Sequence, residues 1–309
     1  MTITTVQRWL DAGELNLPLP GSGGTLTRWQ TLAALCERDV VAGRLAEAHT
    51  DAIAILAELH GPRAQPGRLW GVWPAEAPGA TVTAHHDDDG VTVSGIKAWC
   101  SGAGLCADAL VTAHTQTGAR GLYAVDLHGP GVQPLASTWR NAGMADSDTR
   151  SVRFSAAPAT PVGGPDEYLT RPGFWHGAAG VAACWLGAAR AVAAPLYRAV
   201  AEHQSDKPYA AAHLGAVDAA LAAADALMVS TAEQVDAAPR STGQVAARRL
   251  RAAVETAVDE AIGRTARALG PTPLAMDEAH ARRVADLTMY VRQSHAEKDL
   301  AALGLLVAR

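Results

Sequence analysis

The feature that most constrains this chain is a change of period. From about residue 69 to 162 its apolar residues fall in short alternating runs, and beyond Pro172 they recur at spacings of three and four almost to the end. A period of two is a strand with one buried face and a period near 3.6 is a helix with one buried stripe, so the chain needs both a sheet layer and a helical layer. The strand candidates are 81–84, 91–96, 109–113, 122–125 and 151–154, with turn residues Thr117-Gly118 and Gly129-Pro130-Gly131 between them. Pro158, Pro161, Gly163, Gly164 and Pro165 then read as a linker.

Helical patterns flank this stretch. Leu32, Leu35, Val40 and Leu45, then Ile53, Leu56 and Leu59, mark short helices before Gly61-Pro62. After the linker one helix is predicted over about 177–203, and a second on Leu214, Val217, Leu221 and Met228. A third, on Leu250, Val254, Val258, Ile262 and Leu269, stops at Gly270-Pro271; a fourth, from about Asp277, carries Val284, Leu287 and Val291. Alanine is abundant and there are only two Phe, which suits helices packed closely through small side chains. The expected fold class is α+β: a short helical segment over 1–67, a β-barrel or sheet domain over 68–162, and an antiparallel four-helix bundle over 163–309.

Within the β region, Gly90-Val91-Thr92-Val93-Ser94-Gly95-Ile96-Lys97-Ala98-Trp99-Cys100-Ser101-Gly102-Ala103 is the stretch with chemistry in it. Asp87-Asp88-Asp89-Gly90 turns the chain into a strand, which ends with an aromatic beside a hydroxyl and then Gly102 and Gly104, where backbone can approach a ligand closely. Such a ledge suits a flat, hydrogen-bonding cofactor; the same residues also describe a Trp plugging a β core beside a glycine turn. Neighbouring His85-His86-Asp87-Asp88-Asp89 has the composition of a metal site, but consecutive residues of a hairpin point to opposite faces, so no metal site is assigned.

Gly95, Lys97, Trp99 and Ser101 resemble the Gly-x-Lys-x-Trp-x-Ser/Thr flavin segment of the acyl-CoA dehydrogenase family, whose order of helical start, β middle and helical-bundle end is also the order here. Gly143-Met144-Ala145-Asp146-Ser147-Asp148-Thr149 resembles that family's Gly-Met-Arg-x-Ser-x-Thr, with Ala145 in place of Arg. The stretch 71–80 sits where the family has a Thr-Glu-Pro-x-x-Gly-Ser-Asp flavin loop, of which Gly79 is kept. The resemblance implies FAD as cofactor, with Trp99, Cys100 and Ser101 at the ring and Pro74 and Gly79 on the flanking loop. The family's Arg-x-x-Phe-Gly-Lys-Pro appears as the stretch 202–208, keeping Lys207 and Pro208 but not the Arg; Arg264 or Arg267, before Gly270, would then serve the pyrophosphate. The run Arg248-Arg249-Arg251 reads as a solvated helix face.

A family dehydrogenase removes a proton alpha to a thioester carbonyl, usually with a Glu. Here that position falls near Ser294-His295, and a second family position falls at His176, so His295 and His176 are the candidate catalytic bases. Imidazole titrates in the right range. An exposed His near a helix end and a core His at a helix start are the alternatives for the two. The function the resemblance implies is a flavin-dependent oxidoreductase of the acyl-CoA dehydrogenase type that oxidises an acyl thioester at its alpha-beta bond; the alternatives are a reduced-flavin monooxygenase of the same fold and a non-catalytic partner of a complete dehydrogenase subunit. A homodimer or homotetramer is implied.

A net charge of -5 argues against a general nucleic-acid binder. Four scattered cysteines give neither zinc spacing nor a disulfide framework and point to reducing cytosol. The first residues lack a signal-peptide pattern, and no apolar stretch of membrane-spanning length is expected.

Overall fold

The computed structural model describes residues 2–88, 90–202 and 208–308. In chain order its elements are α1 (Thr2–Asp11), α2 (Thr25–Arg38), α3 (Val40–Glu58), β1 (Trp70–Trp73), β2 (Val82–Asp87), β3 (Gly90–Cys100), β4 (Asp108–His114), β5 (Arg120–Asp126), β6 (Val132–Pro134), β7 (Arg150–Pro158) and β8 (Thr160–Pro161). They continue with α4 (Glu167–Thr170), α5 (Gly173–Glu202), α6 (Pro208–Ala237), α7 (Gln244–Leu269), α8 (Thr272–Met276), α9 (Glu278–Tyr290) and α10 (Glu297–Val307). Most of the 202–208 stretch compared above lies outside the described residues, as does Asp89 of the His-Asp cluster.

By internal contact the chain groups into two compact units. The first takes the residues up to Leu17, Leu45–Arg140 and Ala145–Phe174; the second takes Pro18–Arg44, Asn141–Met144 and Trp175–Arg309. The first 67 residues therefore contribute to both, α1 and most of α3 to one and α2 to the other.

The first unit holds one curled sheet in the order β6-β7-β3-β2-β4-β5-β8, with β1 parallel to β4 off that path. The five expected strands all form, and β2 and β3 pair as the predicted hairpin, Ala84 opposite Val93. β1 corrects the reading of 71–80 as loop. Its Trp-Gly-Val-Trp run is buried at every position, so it carries no alternation to announce it, and the loop begins only at Pro74, which has no N–H to extend a ladder. Ile55 and Leu56 of α3, with Leu59 just after it, close one core against Trp70, Val72, Leu110 and Leu122 of the sheet.

The second unit is helical. Ala182, Trp185, Leu186, Ala189, Val192 and Leu196 of α5 are all fully buried, the profile of a helix surrounded on every side. Gly187 sits so close to Ala33 of α2 that any Cβ would strike the Ala33 carbonyl. α5 and α6 are long and apolar enough to cross a membrane by length and composition, which corrects the expectation that no stretch would be. In the most apolar window of α5, 78% of residues are buried inside the protein, as in a core helix; in that of α6 only 22% are.

Candidate functional site

The sequence-predicted ledge forms at the C-terminal end of β3. Pairing with β7 slips between Lys97 and Cys100, and within this bulge Trp99 takes φ of 60°. A bulky residue in left-handed backbone is uncommon and costs on the order of 1–2 kcal/mol. The bulge turns the indole outward, and Trp99 is 57% exposed. The alternative of a core plug is therefore excluded for this Trp. Trp139 stands edge-on to it, ring centroids 6.4 Å apart at 84°, making a two-sided aromatic corner.

Hydroxyls line up beside the indole. Ser101 Oγ is 3.0 Å from Thr149 Oγ1, which is 2.7 Å from Ser147 Oγ. The backbone is pinned from three directions: Trp73 Nε1 donates to the Ser101 carbonyl at 2.9 Å, Gly102 N to Ser147 O at 2.7 Å and Gly104 N to Asp148 Oδ2 at 2.8 Å. Asp148 also accepts from Arg150 at 2.5 Å. The two motifs singled out in sequence, 95–101 and 143–149, thus meet through their Ser and Thr residues.

The other residues assigned to the cofactor divide. Gly79 closes the tight turn Ala77–Ala80 with φ of 75° and open space where a Cβ would stand. Pro74 is exposed, and its carbonyl accepts from Thr112 Oγ1 at 3.2 Å. Cys100 is wholly buried, its thiol 3.3 Å from the Lys97 carbonyl and pushed well above its ordinary pKa by burial, so what it offers at the ledge is main chain. An exposed ring beside a hydroxyl row fits a planar, polar-edged cofactor. His86 of the His-Asp cluster is engaged with Tyr123 Oη at 3.1 Å.

In the second unit, His176 lies in the first turn of α5 and is 3% exposed, its Nε2 3.3 Å from the Ser241 carbonyl. His295 lies just before α10 with its side chain 70% exposed, Nδ1 3.6 Å from Asp299. Ser294 beside it is buried and donates to Glu255 Oε2 at 2.6 Å, a carboxylate that no sequence spacing had brought to this position. Arg267 is exposed in the last turn of α7, Gly270 caps that helix with φ of 70°, and Arg264 pairs with Glu260. In the arginine run only Arg249 is exposed; Arg248 and Arg251 are not on a solvated face. Arg248 lies 4.5 Å over Trp175, and Arg251, also 4.5 Å over Trp185, donates to the Ala178 carbonyl at 2.9 Å. Guanidinium planes stack on indoles and can be buried that way, which charge counting along a helix does not reveal.

No known family model matches the chain, and no curated protein matches it in sequence. Solved structures do match in fold. TdsC from Paenibacillus sp. A11-2, in a complex with FMN and indole, superposes with a TM-score of 0.80 at 20% identity over 100% of this chain and 96% of that one. A further structure of TdsC describes it as dibenzothiophene monooxygenase. Butyryl-CoA dehydrogenase from Megasphaera elsdenii superposes with a TM-score of 0.84 at 18% identity, covering 98% of this chain and 89% of that one. A structure of the electron transferring flavoprotein of Acidaminococcus fermentans contains a chain that matches at a TM-score of 0.86 and 15% identity, over 98% and 89%. These likenesses give the molecule the acyl-CoA dehydrogenase fold.

Proposed function

We propose that this protein, with its acyl-CoA dehydrogenase fold, is a flavin-dependent oxidoreductase whose flavin ring lies on the Trp99–Ser101 ledge. The observation that carries this is Trp99 itself, an exposed indole held in left-handed backbone next to a hydroxyl row. Strain of this kind persists where surrounding structure enforces it, and it clusters at ligand sites. Trp99 and Trp139 would contact the ring, Ser101 and Thr149 would hydrogen-bond its polar edge, and Gly79 would let backbone approach it. The flavin supplies two-electron redox chemistry. FAD is the cofactor implied by the family resemblance; TdsC is described with FMN, so both belong in the test.

Between the reactions open to this fold, we favour oxygenation by reduced flavin. By the family resemblance the position of the usual Glu falls near Ser294 and His295; Ser294 is tied to Glu255 and His176 to Ser241. An oxygenation needs no base to take an alpha proton. Dehydrogenation of an acyl thioester, with His176 or His295 as base, is the second reading, and a non-catalytic partner subunit is the third. We also propose a homodimer or homotetramer joined through α6, whose apolar surface is mostly exposed in the single chain. The four cysteines are free and buried, which suits a cytosolic protein.

The test begins with the visible spectrum of the purified protein after incubation with FMN or FAD. A stoichiometric flavin spectrum, lost in Trp99→Ala, is expected; no binding of either flavin overturns the reading. Anaerobic bleaching of bound flavin by a short-chain acyl-CoA would select the dehydrogenase. Oxygen uptake by the reduced protein, coupled to hydroxylation of an aromatic such as indole, would select the oxygenase.

A further inference from the structure

The first unit contains a cavity of 290 Å³ whose lining includes neither Trp99 nor Ser101. It lies under the segment joining β1 to β2, with Lys97 of β3 and Thr112 and His114 of β4 in its wall. Lys97 is only 3% exposed. Its Nζ donates to the Thr112 carbonyl at 2.9 Å and to Thr112 Oγ1 at 2.7 Å. Thr112 Oγ1 in turn donates to Pro74 O at 3.2 Å, which leaves it an acceptor toward the lysine. Two of the three ammonium protons are thereby placed, and the third has no protein acceptor among the described residues.

The charge feels Glu76 only at longer range. Among the described residues no carboxylate lies within ion-pair distance of Lys97 Nζ. The one acidic side chain in the cavity wall, Glu76, is engaged by Arg120 at 2.9 and 2.7 Å and by His114 at 3.2 Å. A buried ammonium without a counter-ion is unfavourable, and here open space adjoins it. Pro78, Ala80 and Val82 add a few apolar side chains to a wall that is otherwise mainly polar.

We propose that this cavity binds a small monocarboxylate, which accepts the third Lys97 proton and lays a short apolar tail along Pro78, Ala80 and Val82. Inorganic and dicarboxylic dianions fit less well, because a second negative charge would meet Glu76. Burial holds Lys97 down to about 8, the charged groups acting on it being Cys100, Glu76 and Arg120, with His114 beside Glu76 in the wall. Binding needs the ammonium, so affinity falls as pH rises past that value. The cavity shares the loop of Pro74 and Gly79 with the flavin reading, but it has its own ligand group in Lys97, and its test requires neither flavin nor turnover.

The chain has three lysines, Lys97, Lys207 and Lys298, so acetylation by acetic anhydride can be followed residue by residue by mass spectrometry. Millimolar propionate is expected to slow acetylation of Lys97 several-fold while leaving exposed Lys298 unchanged; the neutral isostere propionamide is expected to protect neither. Calorimetry with propionate should give binding that is lost in Lys97→Met. In Glu76→Gln, which keeps the lysine, binding should extend to succinate. Equal protection by propionamide, no protection by propionate, or propionate binding undiminished in folded Lys97→Met would each overturn the proposal.

Discussion

Trp99 is held at φ of 60° by the bulge in β3 and by the hydrogen bonds that pin Ser101 and Gly102 behind it. Trp99→Gly removes the steric cost of that backbone, on the order of 1 kcal/mol, which offsets the lost contact with Trp139. Its melting temperature should stay close to wild type while flavin binding falls; a fold that collapses in this variant would show that the indole holds the turn rather than serving a ligand. Lys97 makes a second residue-scale prediction. Its pKa is lowered by burial to about 8, so between that pH and the ordinary lysine value the unfolded chain holds a proton that the folded chain has released. Stability then climbs with pH through this window and is lower below it, by up to about 3 kcal/mol. Denaturant melts of wild type against Lys97→Met across the window should show the climb in wild type alone.

At the scale of elements, helix ends carry the testable chemistry. The N-cap of α2 is Gly24, with no side chain to cap it; Asp236 from α6 instead accepts from Gly23 N, Thr25 N and Thr25 Oγ1 at 3.1, 3.1 and 2.6 Å. A carboxylate at a helix N-terminus satisfies orphan donors and complements the dipole. Asp236→Ala should therefore cost about 1–2 kcal/mol by urea unfolding, as cap removal does. At the start of α9, His280 is 2% exposed, its Nδ1 has no hydrogen-bond partner among the described residues, and burial lowers its pKa. Below the ordinary histidine value the unfolded chain takes a proton that the folded one refuses, so stability should fall with acidification through that range. His280→Phe should flatten that limb of the pH–stability curve, and an unchanged limb would assign it elsewhere. The core strands and helices were legible because their periods are strong, whereas β1, β6 and β8 are short or buried on both faces and leave no periodic trace.

For the whole molecule, an apolar helix left mostly in water asks for a partner surface. α6 offers small side chains along it, and Leu300, Leu305 and Val307 of α10 are exposed as well. Sedimentation should give a dimer or tetramer, and Ala223→Arg, on the exposed side of α6, should shift it toward monomer without lowering the melting temperature. A wild-type monomer would remove the oligomer from the proposal.

The sequence alone determined the layer order and the pairing of a strand-end Trp with a hydroxyl, because both are written in local period and in adjacent residues. Only tertiary structure decided that Trp99 faces outward against Trp139, that Ser101 meets Thr149 and Ser147, that Arg248 and Arg251 lie on indoles, and that Lys97 is buried beside open space. Each of these brings together residues distant in the chain or depends on a bulge that reverses which face a side chain takes. Spacing along a strand or helix carries no record of either.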